Sequence, residues 1–103
     1  MAESRVKMLL TYDVVPELQQ AYYEFVLGEM IPTAQSMGLV LSEAWHTAYG
    51  DYPLRLNSFV ARSRQELDRI LATAEWQQLE DKLKRFVNGY QRKIVPFREG
   101  FQF

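Results

Sequence analysis

Residues 39–67 read LVLSEAWHTAYGDYPLRLNSFVARSRQEL, and this stretch decides the fold. Two strand-like runs, Leu39–Tyr49 and Tyr52–Arg62, flank Gly50-Asp51, a dipeptide suited to a two-residue hairpin turn. If Tyr49 faces Tyr52, the register follows: Trp45 opposes Leu56, His46 opposes Arg55, Ala44 opposes Asn57, Ser42 opposes Phe59 and Leu41 opposes Val60. Opposed residues share a face. The alternation therefore predicts an apolar face of Leu39, Leu41, Trp45, Leu54, Leu56 and Val60 lying under helices. His46, Arg55, Asn57 and Phe59 fall on the other face, with Val40, Ser42 and Ala44. The stretch ends in Ser63-Arg64-Gln65-Glu66, a capping box in which the Ser hydroxyl and the Glu carboxylate satisfy each other's helix-end amides.

On the N-terminal side, Val6–Val14 alternates Val6, Met8, Leu10 and Tyr12 with Lys7, Leu9, Thr11 and Asp13, the pattern of a half-buried strand. Pro16 suits a first helical position and Glu17 complements the helix dipole. Leu18, Ala21, Tyr22, Phe25, Met30 and Ala34 form the expected buried stripe, interrupted where Gly28 and Pro32 fall. Pro32 has no amide to offer the carbonyl four residues back, so a kink is expected near Met30, and Gly38 is expected to cap the end. On the C-terminal side, Leu67, Ile70 and Leu71 give way at Thr73, a second cap, to Trp76, Leu79, Leu83, Phe86 and Val87. Two helical pieces bent near Ala72–Ala74 are predicted, ended by Gly89, with Tyr90–Phe97 as the last strand and Phe101-Gln102-Phe103 as a tail that reaches a partner.

The order is βαββαβ, an α+β fold of ferredoxin-like type with an antiparallel four-stranded sheet and both helical layers on one face. At 12.1 kDa the whole chain, residues 1–103, is expected to form a single domain. Leu9, Val40, Phe59 and Val95 are expected on the uncovered sheet face, too apolar to be left in water, and imply a homodimer.

The chain resembles the dimeric alpha-beta barrel proteins, and most of all the NIPSNAP branch of that superfamily. The resemblance rests on Trp45-His46-Thr47 and Gly50, on Leu56, Phe59, Ser63 and Glu66, and on Glu75-Trp76. It covers nearly the whole chain, but the motifs are mostly folding signals. The resemblance implies a homodimer with a cavity between sheet and helices or between two sheets. The superfamily includes cofactor-free oxygenases, haem-degrading enzymes and many members without a known activity.

Composition narrows the chemistry. A net charge of −1 argues against phosphate-tracking nucleic-acid binding and against attraction to an anionic membrane. The third strand also lacks the stacking aromatics of RNA-recognition modules. There is no cysteine, so disulfides, thiolate metal sites and a thiol nucleophile are excluded. No run is long and apolar enough for a bilayer, and a cytoplasmic location is the default expectation. His46 is the only histidine, and scattered acids do not complete a metal site around it. No cofactor is expected.

The candidate site joins His46, Arg55 and Asn57 with Thr11 on the neighbouring strand and Phe59 beside them: an imidazole, a cation and an amide able to hold a carboxylate or enolate oxygen. His46 is read either as a hydrogen-bonded structural residue or as a base. Arg55 and Asn57 are read either as ligand anchors or as surface residues paired with acids. Three functions stay open: a homodimeric barrel that binds an apolar or aromatic small molecule; a cofactor-free monooxygenase or isomerase with His46 as catalytic base or oxyanion donor; and a subunit-interaction module without ligand.

Overall fold

A computed structural model describes residues 4–49 and 52–97, and the side chains of 43–54 are outside that description. Strand β1, Val6–Val14, runs as the alternation predicts, with Met8, Leu10, Tyr12 and Val14 buried. Pro16–Leu18 then form one 3-10 turn leading into α1, Gln19–Phe25. The tighter turn rotates the phase of the helix, so Leu18 and Ala21 are exposed rather than buried, and the stripe consists of Tyr22, Phe25, Val26, Met30 and Ala34.

The interruption expected near Met30 takes the form of a π turn, Val26–Met30, followed by α2, Ile31–Ser36. The Ile31 amide reaches back five residues to the Val26 carbonyl. Widening the helix by one residue just before Pro32 explains why Phe25 and Met30, five apart, both reach the core. Gly38, at φ 107°, ends α2 in a Schellman motif: the Leu39 amide donates to the Ala34 carbonyl and the Gly38 amide to the Gln35 carbonyl, each 3.1 Å.

Strands β2, Val40–Tyr49, and β3, Tyr52–Ala61, pair antiparallel, with Tyr49 opposite Tyr52. The Gly50-Asp51 turn itself lies outside the described residues. The pairs Trp45–Leu56, His46–Arg55 and Ala44–Asn57 keep the expected register. Beyond them a bulge at Ser42 shifts it by one, so Leu41 stands opposite Phe59 and Val40 opposite Val60.

Arg64–Leu71 form α3 and Ala74–Leu83 form α4. Each has its N-cap, the Glu66 amide donating to Ser63 Oγ and the Trp76 amide to Thr73 Oγ1, both at 3.1 Å, so the break falls at Ala72-Thr73. The reciprocal half of the expected capping box does not form, because the Glu66 carboxylate pairs with Arg69 and Arg62 instead. The second helix ends at Leu83, not at Gly89. Lys84–Phe86 turn the chain, and β4 already begins at Val87 and runs to Pro96. Gly89, at φ 66°, instead sits in β4 where its pairing with β1 slips between Thr11 and Asp13, a bulge that needs the left-handed conformation.

The sheet order is β2-β3-β1-β4 and all pairs are antiparallel. This is the expected ferredoxin-like α+β arrangement. The helices cover the face carrying Met8, Leu10 and Tyr12, and the core there includes Leu67, Ile70, Trp76, Leu79 and Leu83, each large side chain worth about 1.5–3 kcal/mol of burial.

One expectation is inverted. Pairing of β1 with β3 sets Tyr12 opposite Arg55, Leu10 opposite Asn57 and Met8 opposite Phe59, so Arg55, Asn57 and Phe59 lie under the helices. Leu54, Leu56 and Val60 take register positions opposite Asp13, Thr11 and Lys7, on the uncovered face. That face carries Leu9, Val40, Leu56, Val60 and Val95, of which Val40 is exposed, Leu56 already buried and the others half-buried, and Phe59 is not part of it.

Candidate functional site

The helix-covered face places the hydroxyls of Tyr12, Tyr22 and Tyr90 and the guanidiniums of Arg55 and Arg92 alongside apolar side chains. Tyr12 sits on the apolar parity of β1 and Tyr22 on the buried stripe of α1, and both are buried. A buried tyrosine hydroxyl needs a partner. Here the two supply one another, with Oη to Oη at 2.6 Å and the rings edge-on at 5.7 Å. Asn57 on β3 donates from Nδ2 to Tyr12 Oη at 2.5 Å.

Arg55, directly opposite Tyr12, is only 9% exposed. Its guanidinium lies over the rings of Tyr23 and Tyr22, 4.8 and 5.8 Å from their centroids. Such contacts contribute about 0.5–2 kcal/mol each and leave the N–H donors unspent. Arg55 Nε has no hydrogen-bond partner among the described residues.

Burial first of all pushes the Tyr12 hydroxyl far above the ordinary tyrosine range, and Tyr22 raises it further. Burial also raises Tyr22, against hydrogen bonds and the Arg55 charge that pull it down. Both hydroxyls stay protonated at neutral pH. In that form they can donate hydrogen bonds and cannot serve as general bases.

A second group lies across Tyr12, whose ring stacks on Tyr90 of β4 at 6.3 Å. The Tyr90 hydroxyl and Arg92 Nη1 both donate to Glu80 Oε2 of α4, each at 2.6 Å. Burial and then the Glu80 carboxylate push Tyr90 up as well.

The residues expected from the sequence divide. Arg55, Asn57 and Phe59 share one face, but Phe59 is packed into the apolar core. Thr11 pairs with Leu56 on the opposite face, so it is not in this group. His46 takes the register position opposite Arg55, and its side chain lies outside the described residues. Tyr12 and Tyr22 are additions to the expected set, although two tyrosines on buried parities each demand a hydroxyl partner and so point to one another. Among the described residues no set of three His, Cys, Asp or Glu is placed to hold a metal, and no helix is long and apolar enough to cross a membrane.

No protein-family model and no curated protein matches the chain. Solved structures do. An uncharacterised NIPSNAP-like domain protein from Burkholderia xenovorans superposes with a TM-score of 0.71 at 17% identity, covering 97% of this chain and 90% of that one. A NIPSNAP family protein from Agrobacterium tumefaciens str. C58 gives 0.68 at 15% identity, with 96% and 90% covered. A putative antibiotic biosynthesis monooxygenase from Nitrosomonas europaea gives 0.67 at 12%, with 94% and 91% covered. At these identities the likeness is one of fold, and the chain has the ferredoxin-like α+β fold of the NIPSNAP-family structures.

Proposed function

We propose that this chain is a homodimeric barrel protein that binds a small apolar or aromatic molecule between its sheet and α1, beside Arg55. The observation that carries the binding reading is the convergence of Arg55, Asn57 and the Tyr12–Tyr22 hydroxyl pair within an aromatic-walled part of the helix-covered face. A few placed polar groups in an apolar setting are one part of what a small-molecule site has; two clefts among the described residues lie elsewhere, beside Val40 and Phe97 and beside Ser63 and Arg69. The dimer reading is supported by the uncovered face, where Val40 is 62% exposed and aligns with Val60 across the hairpin. Pairing that face with a second copy would gain about 1.5–3 kcal/mol for each large side chain fully buried, more than a surface ion pair contributes.

The oxygenase or isomerase alternative needs a base. Tyr12 and Tyr22, held protonated by burial, do not supply one. Light scattering should give the mass of two chains, and a mass of one chain would overturn the barrel. In a nuclear magnetic resonance titration, benzoate or benzamide should shift amides of α1 and β3. Failure of both up to their solubility would overturn the small-molecule reading.

A further inference from the structure

Two arginine–tyrosine groups flank the Tyr12 ring, and only one of them is complete. On the β4 side, Glu80 accepts from both the Tyr90 hydroxyl and Arg92, so cation and hydroxyl are discharged on one carboxylate. On the β3 side, no carboxylate among the described residues pairs with Arg55, and its Nε proton has no acceptor there. The hydroxyl count is also open. Tyr12 and Tyr22 carry one proton each, their mutual bond spends one, and Asn57 adds a donor rather than an acceptor. With Asn57 oriented as a donor, one hydroxyl proton of the pair is left without an acceptor among the described residues.

A buried guanidinium and a spare hydroxyl proton are costly unless something accepts from them. The rings of Tyr22 and Tyr23, edge-on to one another, lie near the cation but offer Nε no oxygen or nitrogen acceptor. The ligand's own chemistry can.

Resting on the small-molecule reading above, we propose that the ligand is an organic anion: an apolar or aromatic acid whose ionised carboxylate or enolate oxygen accepts from Arg55 Nε and from the spare tyrosine hydroxyl. The anion takes, on the β3 side, the place that Glu80 takes on the β4 side. Tyr23, partly exposed and stacked on the guanidinium, forms the outer wall.

Benzoate and benzamide have nearly the same shape and differ in charge, so titrating each into the full-length 15N-labelled protein tests the inference. Benzoate should bind about tenfold or more tighter, the worth of one charge-assisted hydrogen bond. Arg55→Gln should erase that difference and leave the free protein folded with nearly the same melting temperature, because the lost ring contacts are offset by relief of a buried cation whose Nε has no acceptor. Arg55→Lys keeps the charge but not the Nε fork and should retain part of the preference. Tyr22→Phe should weaken benzoate more than benzamide. Equal affinity for the two probes would overturn the anion assignment and leave apolar binding standing, whereas no binding of either would overturn both. A preference that survives Arg55→Gln, or a fold that collapses with it, would mark Arg55 as structural and overturn the inference.

Discussion

The groups on the two sides of Tyr12 use the same residue types to opposite ends. The β4 group, Tyr90–Glu80–Arg92, is closed, and it bolts α4 to the last strand. The β3 group, Tyr22–Tyr12–Asn57 with Arg55, is joined by hydrogen bonds at one end and open at the other. A closed group can only stabilise. An open one keeps a stabilising interaction in reserve for whatever brings the missing acceptor, at a cost in the free state.

The largest effect that tests this pairing is alkaline. Tyr12, Tyr22 and Tyr90 all have hydroxyl pKa values raised above the ordinary 10.0, chiefly by burial. Below pH 10 they are protonated whether the chain is folded or not, and their contribution to stability is fully present. Above it the unfolded chain releases protons that the folded chain retains, so stability falls with rising pH, by about 1.4 kcal/mol per unit for each tyrosine. Tyrosinate absorbance of these residues should rise only together with loss of the folded circular dichroism signal. Ionisation of all of them in a still-folded protein would contradict the burial on which both groups depend.

Tyr12→Phe strands Asn57 Nδ2 and the Tyr22 hydroxyl, and urea unfolding should register a loss of about 2–3 kcal/mol. Glu80→Ala opens the closed group. Because the Arg92 side chain is about a third exposed, solvent compensates in part, and a loss of about 2 kcal/mol is expected. Arg55→Gln should by contrast cost less than about 1 kcal/mol, because the ring contacts with Tyr22 and Tyr23 that it gives up are offset by relief of a buried cation with no hydrogen-bond acceptor. Were Arg55→Gln to cost more than Glu80→Ala, the distinction between open and closed would fail. The caps are the smallest test: Ser63→Ala and Thr73→Ala should each lose about 1 kcal/mol in chemical denaturation, and together they should add, since the caps share no partner.

Most of the architecture is legible in the sequence because its signals are local. Ser63 and Thr73 carry the helix starts, Gly38 a helix end, and the five-residue step from Phe25 to Met30 the irregular turn before Pro32. The hairpin register can be written from the turn alone for residues 44–49. Which face of that hairpin meets the helices cannot. Both parities of β3 are apolar in part, Leu54, Leu56 and Val60 on one and Phe59 and Ala61 on the other, so alternation does not choose between them. The deciding contact is the pairing of β1 with β3, which joins residues as far apart as Val6 and Ala61 and has no sequence mark. The Ser42 bulge is equally silent, and it is what brings Leu41 to the core side. For the site, Arg55 and Asn57 are found by their register with each other and with His46. Thr11 is misplaced by that same inversion, and Tyr12 and Tyr22 escape notice because each looks like ordinary core.

The side-chain Nε–H resonances of Arg55 and Arg92 in one 15N spectrum test the account most directly. Arg92, already paired with Glu80, should stay put as benzoate is added, while the Arg55 signal should move downfield and become protected from exchange as its proton gains an acceptor. Movement of Arg92 with an unmoved Arg55, or of neither at benzoate concentrations that saturate the α1 and β3 amides, would contradict it.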